Sequence, residues 1–277
     1  MTATSPSSAA APRPSRVAGR ASFGRAAAAE WGKLRSTRST YWTLLSGFAV
    51  SVGFSALLAS IVSSGYDDLS ARAKADFDPA YQGLQGLGYA LVAFGVLGVL
   101  TITSEYSGGL IRVSLAAVPR RGRLLAAKAA VLGGLVLVVG EVSSAVSFAV
   151  SQAIFAAKGA DARLGDPGML RAVLGGGLYI AVITLLSLAL GVIVRRSAGA
   201  LTVVLTVLFV LPAVGAFLPG SAGETYNNLL PANAGQAIMA VRPQDGSLGP
   251  WAGFGVLCLY TAVLMAVAWG SFQRRDA

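Results

Sequence analysis

Six apolar stretches, each long enough to cross a bilayer, divide the chain: Tyr41–Val62, Leu84–Ser104, Leu124–Phe155, Leu170–Val194, Ala200–Leu218 and Trp251–Phe272. A hydrocarbon core about 30 Å thick takes roughly 20 helical residues to span. Within that core every backbone N–H and C=O needs a partner, and a helix supplies them inside a single segment. Six such helices in 277 residues leave short connections and no room for a soluble catalytic domain. Charged residues make up only 12% of the chain, against the about 25% usual for a soluble domain. The expected fold is therefore an all-α membrane protein with six transmembrane helices.

The net charge of +10 is sorted by connection. With Lys128 and Arg171, which lie just inside spans three and four, counted in the connections they follow, Lys and Arg number 7, 5, 2 and 2 before span one, between spans two and three, between four and five, and after six. The other three connections hold 2, 3 and 1, while the acids run the opposite way, 3 against 8, with Glu141 left inside a span. Basic residues are retained on the cytoplasmic side, so both termini are expected in the cytoplasm. Topology accounts for the charge, and no nucleic-acid partner is called for.

The chain has no histidine, and Cys258 is its single cysteine. Ser-His-Asp and Cys-His nucleophilic schemes, His-ligated metals and internal disulfides are thereby removed. Cys258 sits among Val256, Leu257 and Leu259 and reads as an apolar packing residue. No catalytic, cofactor-binding or metal-binding residues are assigned.

Residues 1–22 are rich in Ala, Ser, Pro and Arg without helical periodicity, and read as a disordered cytoplasmic tail. Residues 23–277 form one transmembrane domain. Between Phe23 and Thr40, Phe23, Ala27, Trp31 and Leu34 fall on one helical stripe, as expected of a helix lying in the membrane interface. Glu30 intrudes on that stripe and is placed to pair with Lys33 one turn on. The first external connection, residues 63–82, is acidic and reads as a solvated loop. The third contains the partly apolar segment Tyr226–Val241, which suits a short helix at the outer interface. Glycines crowd spans two and four; close helix packing and mere composition both account for them.

The connection from Ser104 to Lys128 carries the functional signal. Glu105 ends span two, Gly108 and Gly109 permit a sharp change of direction, and Leu110, Ile111, Val113, Leu115 and Val118 suit a short amphipathic helix. Pro119 stops it, and Arg120, Arg121, Arg123 and Lys128 mark the return to the bilayer. Topological anchoring is the favoured role of the three arginines.

Here the chain resembles the permease subunit of ABC-2 type exporters. The likeness rests on Glu30-Trp31-x-Lys33-Leu34-Arg35, on Glu105-Tyr106-x-x-Gly109-x-Ile111-Arg112, on Pro119-Arg120-Arg121 followed by Leu124–Lys128, and on Leu230–Gly235. It implies an elbow helix at residues 23–40 carrying Glu30, Trp31, Lys33 and Leu34. It also implies a cytoplasmic coupling helix at 105–118, in which Glu105, Tyr106, Gly109, Ile111 and Arg112 engage an ATPase. The chain has no G-x-x-x-x-G-K-[ST], so the resemblance implies a separate ATP-binding cassette ATPase subunit in two copies. It further implies a second permease, identical or different, with substrate moving between the permeases. Composition and family point to a bacterial cytoplasmic membrane.

Glu141 stands deep in span three, followed by Ser143, Ser144, Ser147, Ser151 and Gln152. A charge at that depth faces a polar interior or a partner. A substrate path or proton site is one reading, and a protonated or paired residue that locks helix packing is the other, which is favoured. A permease-like anchor that regulates a partner and an ion-gradient-driven transporter using Glu141 stand as functional alternatives.

Overall fold

The structure is a computed structural model describing residues 22–109, 121–215, 217–242 and 246–274. Among the described residues there is no strand, and six helices are long and apolar enough to cross a membrane. These are Arg38–Ser64, Pro79–Ser107, Arg121–Lys158, Met169–Val194, Ser197–Gly215 and Pro250–Arg274, spans one to six below. The first 21 residues of the expected tail lie outside the described residues.

Helix α1, Phe23–Ser36, precedes span one. Ser22 caps it by accepting the Arg25 N–H, and Thr37 adopts an extended conformation that turns the chain into the next helix. The expected interfacial helix is thus shorter than 23–40, because that corner falls at Thr37. The face α1 buries is Ala26, Glu30 and Leu34, while Phe23 and Trp31 are half exposed. Glu30 therefore belongs to the packed face of the helix.

Span four is the hub of the bundle. It packs against spans two, three, five and six, and span two in turn packs against spans one and five. Glycine makes these approaches possible. A Cβ on Gly98 of span two would lie 2.4 Å from the Thr184 carbonyl oxygen of span four, and one on Gly86 would lie 2.3 Å from the Ser51 carbonyl oxygen of span one. Both neighbours are backbone and cannot swing aside, so at these two positions close packing is the reason for glycine.

Two sequence expectations are corrected. Span five was expected to run as one helix to Leu218, but Thr206–Val210 is a π-helical turn and the helix is described only to Gly215. Pro212 lacks an N–H for the Leu208 carbonyl, and a widened turn accommodates that loss. Phe217 and Leu218 then form a turn on the Val214 and Gly215 carbonyls. The segment Tyr226–Val241 is not one short helix: Gly220–Leu229 and Pro231–Gln236 are separated by extended Leu230. A residue before proline avoids the helical region, which places the break.

The connections at the far end from α1 are held by buried and half-buried side chains that bind backbone. Asp78 is 6% exposed. Its Oδ1 accepts the Tyr81 N–H at 3.0 Å, and its Oδ2 accepts the N–H groups of Val241 at 2.6 Å and Arg242 at 2.8 Å. Gln152 donates to the Pro79 carbonyl and accepts from the Ala162 N–H. Arg171 donates to the carbonyls of Ile238 and Ala240. Asp78 was read as part of a solvated acidic loop; it is instead the buried tie between two connections.

Candidate functional site

Four charged side chains from three elements meet where span two ends and span three begins. Lys33 and Glu30 lie one turn apart on α1, Glu105 is near the last turn of span two, and Lys128 is two turns into span three. Lys33 Nζ is 2.6 Å from Glu30 Oε1 and 2.9 Å from Glu105 Oε1. Lys128 Nζ is 2.5 Å from Glu30 Oε2, 2.8 Å from Glu105 Oε1 and 3.3 Å from the Thr101 carbonyl oxygen. Those three acceptors match the three donors of an ammonium. Glu30, Glu105 and Lys128 are buried, while Lys33 is half exposed at the rim.

The cluster is neutral as a whole, with two carboxylates against two ammoniums. Neutrality is what permits burial, because an unpaired charge in this position would cost several kcal/mol, on the order of 3–5. Burial alone would lower the Lys33 pKa. The hydrogen bonds that Lys33 donates to Glu30 and Glu105 more than offset that, so Lys33 is held above its ordinary value of 10.5. The ammonium is charged throughout the neutral range.

The site residues expected from sequence divide into groups. Glu30, Lys33 and Glu105 come together, and Leu34 is buried on the same face of α1. Trp31 is half exposed and takes no part in the cluster. Tyr106 joins a different contact: the Arg195 guanidinium lies over its ring at 5.3 Å, and Arg195 also donates to the Ser271 carbonyl of span six. Gly109 has φ +68, a left-handed conformation glycine adopts without strain, immediately after span two ends at Ser107. Ile111 and Arg112, with the rest of the expected coupling helix beyond Gly109, lie outside the described residues.

Lys128 is the residue that sequence reasoning missed. It read as a boundary charge marking the return to the bilayer, yet it is 2% exposed and joins all three elements. Its position inside the apolar run Leu124–Phe155 carried the signal, since a lysine flanked by Ala127 and Ala129 needs an acid partner.

Glu141 stands apart from this cluster. Its carboxyl group fits against Gly177 of span four, where a Cβ would lie 2.4 Å from the carboxyl carbon. Its Oε2 is buried and has no hydrogen-bond partner among the described residues. Ser144, one turn on, donates to the Val173 carbonyl.

A family model described as ABC-2 family transporter protein matches residues 27–213. The chain belongs to this family. No curated protein matches it. The match begins within α1 and ends in span five, so it covers every member of the charged cluster. As an ABC-2 membrane protein with six candidate spans, the chain is a multi-pass membrane protein of a family whose membrane subunit is typically non-catalytic.

Proposed function

We propose that this ABC-2 membrane protein is the permease subunit of an exporter in a bacterial cytoplasmic membrane, driven by a separate ATPase present in two copies. Both termini and the segment between spans two and three face the cytoplasm. Helix α1 serves as the elbow helix, and residues 105–118 contain the element the ATPase grips. The observation that carries this reading is the cluster of Glu30, Lys33, Glu105 and Lys128. It joins α1 to both helices that flank residues 108–120. A displacement of that segment therefore moves the end of span two, the start of span three and α1 as one body, instead of bending each separately.

A second permease, identical or different, completes the path. Its contact surface in this reading is formed by spans one, two and five. Successive helical residues turn by about 100°. On span two, Gly86 faces span one and Gly95 faces Val204 of span five, while Tyr89 and Val92 emerge at the surface between these directions. Tyr89 stacks on Phe54 of span one at 4.6 Å. The exposed strip of span two is thus a shallow channel wall flanked by two apolar helices. Glu141 has no step in this mechanism.

The test uses Gly109→Val in permease co-reconstituted with its ATPase. A β-branched residue is strained at φ +68, so the exit from span two changes direction while the spans remain. Membrane insertion and thermal stability are expected to match the parent protein, and the ATPase rate is expected to lose its dependence on the permease. Arg112→Ala is expected to do the same. Full coupling in both variants overturns the assignment of the gripped segment.

A further inference from the structure

A cavity of about 260 Å³ lies at the end of the bundle opposite α1, between the start of span two, the helices Gly220–Leu229 and Pro231–Gln236, and residues 247 and 248. Four half-buried polar side chains line it: Tyr81, Asn228, Asn233 and Gln236. Ser247, Leu248 and three alanines complete the described wall, which holds no charged residue.

The polar groups of this wall have nothing in the fold to bind. Within the described residues, neither the Tyr81 hydroxyl nor the amides of Asn233 and Gln236 take part in a hydrogen bond, and none of these atoms is closed to water. Asn228 donates its Nδ2 to the Gly246 carbonyl at 2.7 Å, which fixes the amide and leaves Oδ1 as an acceptor. Span two makes room for Gln236. Gly88 lies on the same side of span two as Tyr81, because seven residues at about 100° each come close to two full turns. A Cβ on Gly88 would lie 2.7 Å from Gln236 Nε2 and would meet nothing else. Unlike Gly86 and Gly98, this glycine does not serve a backbone contact between helices. It clears space for an amide that the fold itself does not engage.

Ligand chemistry follows from the wall. With no ion to offer, the described residues favour no charged ligand. A carboxamide presents donors and an acceptor side by side, so Asn233 and Gln236 each supply both kinds. Such pairs, set among alanines, a leucine and a tyrosine, suit a molecule with a hydroxyl on most of its carbons and C–H faces between them. A cavity this small takes one ring. We propose that it binds a single neutral sugar ring, with the Asn233 and Gln236 amides bridging adjacent hydroxyls and with Asn228 Oδ1 and the Tyr81 hydroxyl holding others. Trp251, three residues past Leu248, is 65% exposed in the first turn of span six, and an exposed Trp at a span boundary marks headgroup depth. The ring therefore has two possible sources, a free sugar in the water or the headgroup of a glycolipid in the leaflet. Asn228, Asn233 and Gln236 lie beyond residue 213, where the family match ends, and the proposal stands whether or not the protein is an exporter.

The experiment uses the full chain in phosphatidylcholine nanodiscs, which carry no sugar. One arm titrates the methyl glycosides of glucose, galactose, mannose and N-acetylglucosamine, read by saturation-transfer NMR against empty discs. The other adds glucosyl and galactosyl diacylglycerol to the discs and reads retained lipid by native mass spectrometry. Binding in the first arm assigns a free sugar, and binding in the second alone assigns a glycolipid headgroup. Methyl glucuronide, which brings a carboxylate to a wall without a cation, is expected to give no signal. Asn233→Leu and Gln236→Met are near-isosteric and remove one amide each. Each is expected to weaken binding about fivefold, the scale of one neutral hydrogen bond, and the double variant to abolish it. The melting temperature is expected to stay at or above that of the parent, because neither amide is bonded within the described residues. Silence in both arms, glucuronide binding equal to that of the neutral sugars, or a double variant that binds like the parent overturns the proposal. Binding lost together with a lowered melting temperature overturns it as well, since that is the result of a purely structural role for the amides.

Discussion

At the end of the bundle that carries α1, charged side chains bind one another: Glu30, Lys33, Glu105 and Lys128. At the opposite end, Asp78, Gln152 and Arg171 bind backbone groups of the connections. The two arrangements constrain different things. Ion pairs between helices fix the helices relative to each other. Side chains that accept or donate to loop amides fix the loops themselves. On the function proposed above, the first end transmits a displacement and the second holds a surface still. One more contrast follows from the participants, since a buried ion cluster fails as a unit when one member is removed, whereas hydrogen bonds to separate loops fail locally.

Lys128→Met breaks the comparison most severely. It leaves Glu30 Oε2 without its ammonium and strips Glu105 of one of its two, with both carboxylates still buried. The expected loss of stability is about 3–5 kcal/mol, read as unfolding in detergent micelles or nanodiscs. Adding Glu30→Gln to the same chain should recover most of it, because Glu105 and Lys33 then remain as a matched pair with no unpaired charge to bury. A Lys128→Met protein as stable as the parent shows that the cluster does not hold the three elements together.

Asp78→Ala sharpens the other half of the comparison. Three N–H groups, on Tyr81, Val241 and Arg242, lose a carboxylate acceptor. The loss is of hydrogen bonds to backbone and leaves no charge unpaired, so the expected cost is about 1–3 kcal/mol. It should appear locally, as faster proteolysis between Met239 and Pro250, with the helices flanking residues 110–120 unaffected. Cleavage that rises equally at both ends removes the distinction drawn here.

The positions of the spans were legible because twenty apolar residues in a row have few alternatives, and all six runs match their helices to within five residues at each end. The π turn in span five was not, although Pro212 announced that the helical hydrogen bonding must fail somewhere in that turn. Within the cluster, the Glu30–Lys33 pair was legible because three residues along a helix place side chains together. The Lys128–Glu30 pair was not, since its members are 98 positions apart and only packing brings them together. Asp78 was hidden for a related reason. In sequence it is one of four aspartates in an acidic loop, and only the fold singles it out by delivering the Val241 and Arg242 amides to it.

The smallest expected effect separates buried from exposed pairing at the two ends. Asp67 and Lys158 join the first two connections at the end opposite α1, but Asp67 lies in full contact with solvent. The hydrogen bond from Lys158, reinforced by its charge, holds the Asp67 carboxyl below its ordinary value of 3.8. A lowered carboxylate contributes above its unfolded value and loses that contribution as pH falls through the folded one, so this pair is intact at neutral pH and lost only below 3.8. Lys33 runs the other way: its raised value means the contribution is present below 10.5 and lost as pH climbs beyond it. Asp67→Asn is therefore expected to leave the melting temperature unchanged at pH 7, because water and salt screen an exposed pair. The parent protein should loosen at the α1 end only above pH 10.5, followed as hydrogen exchange at residues 23–36. Loosening of that helix at neutral pH would mean that Lys33 is not held by the two carboxylates, and the asymmetry between the ends would then rest on Lys128 alone.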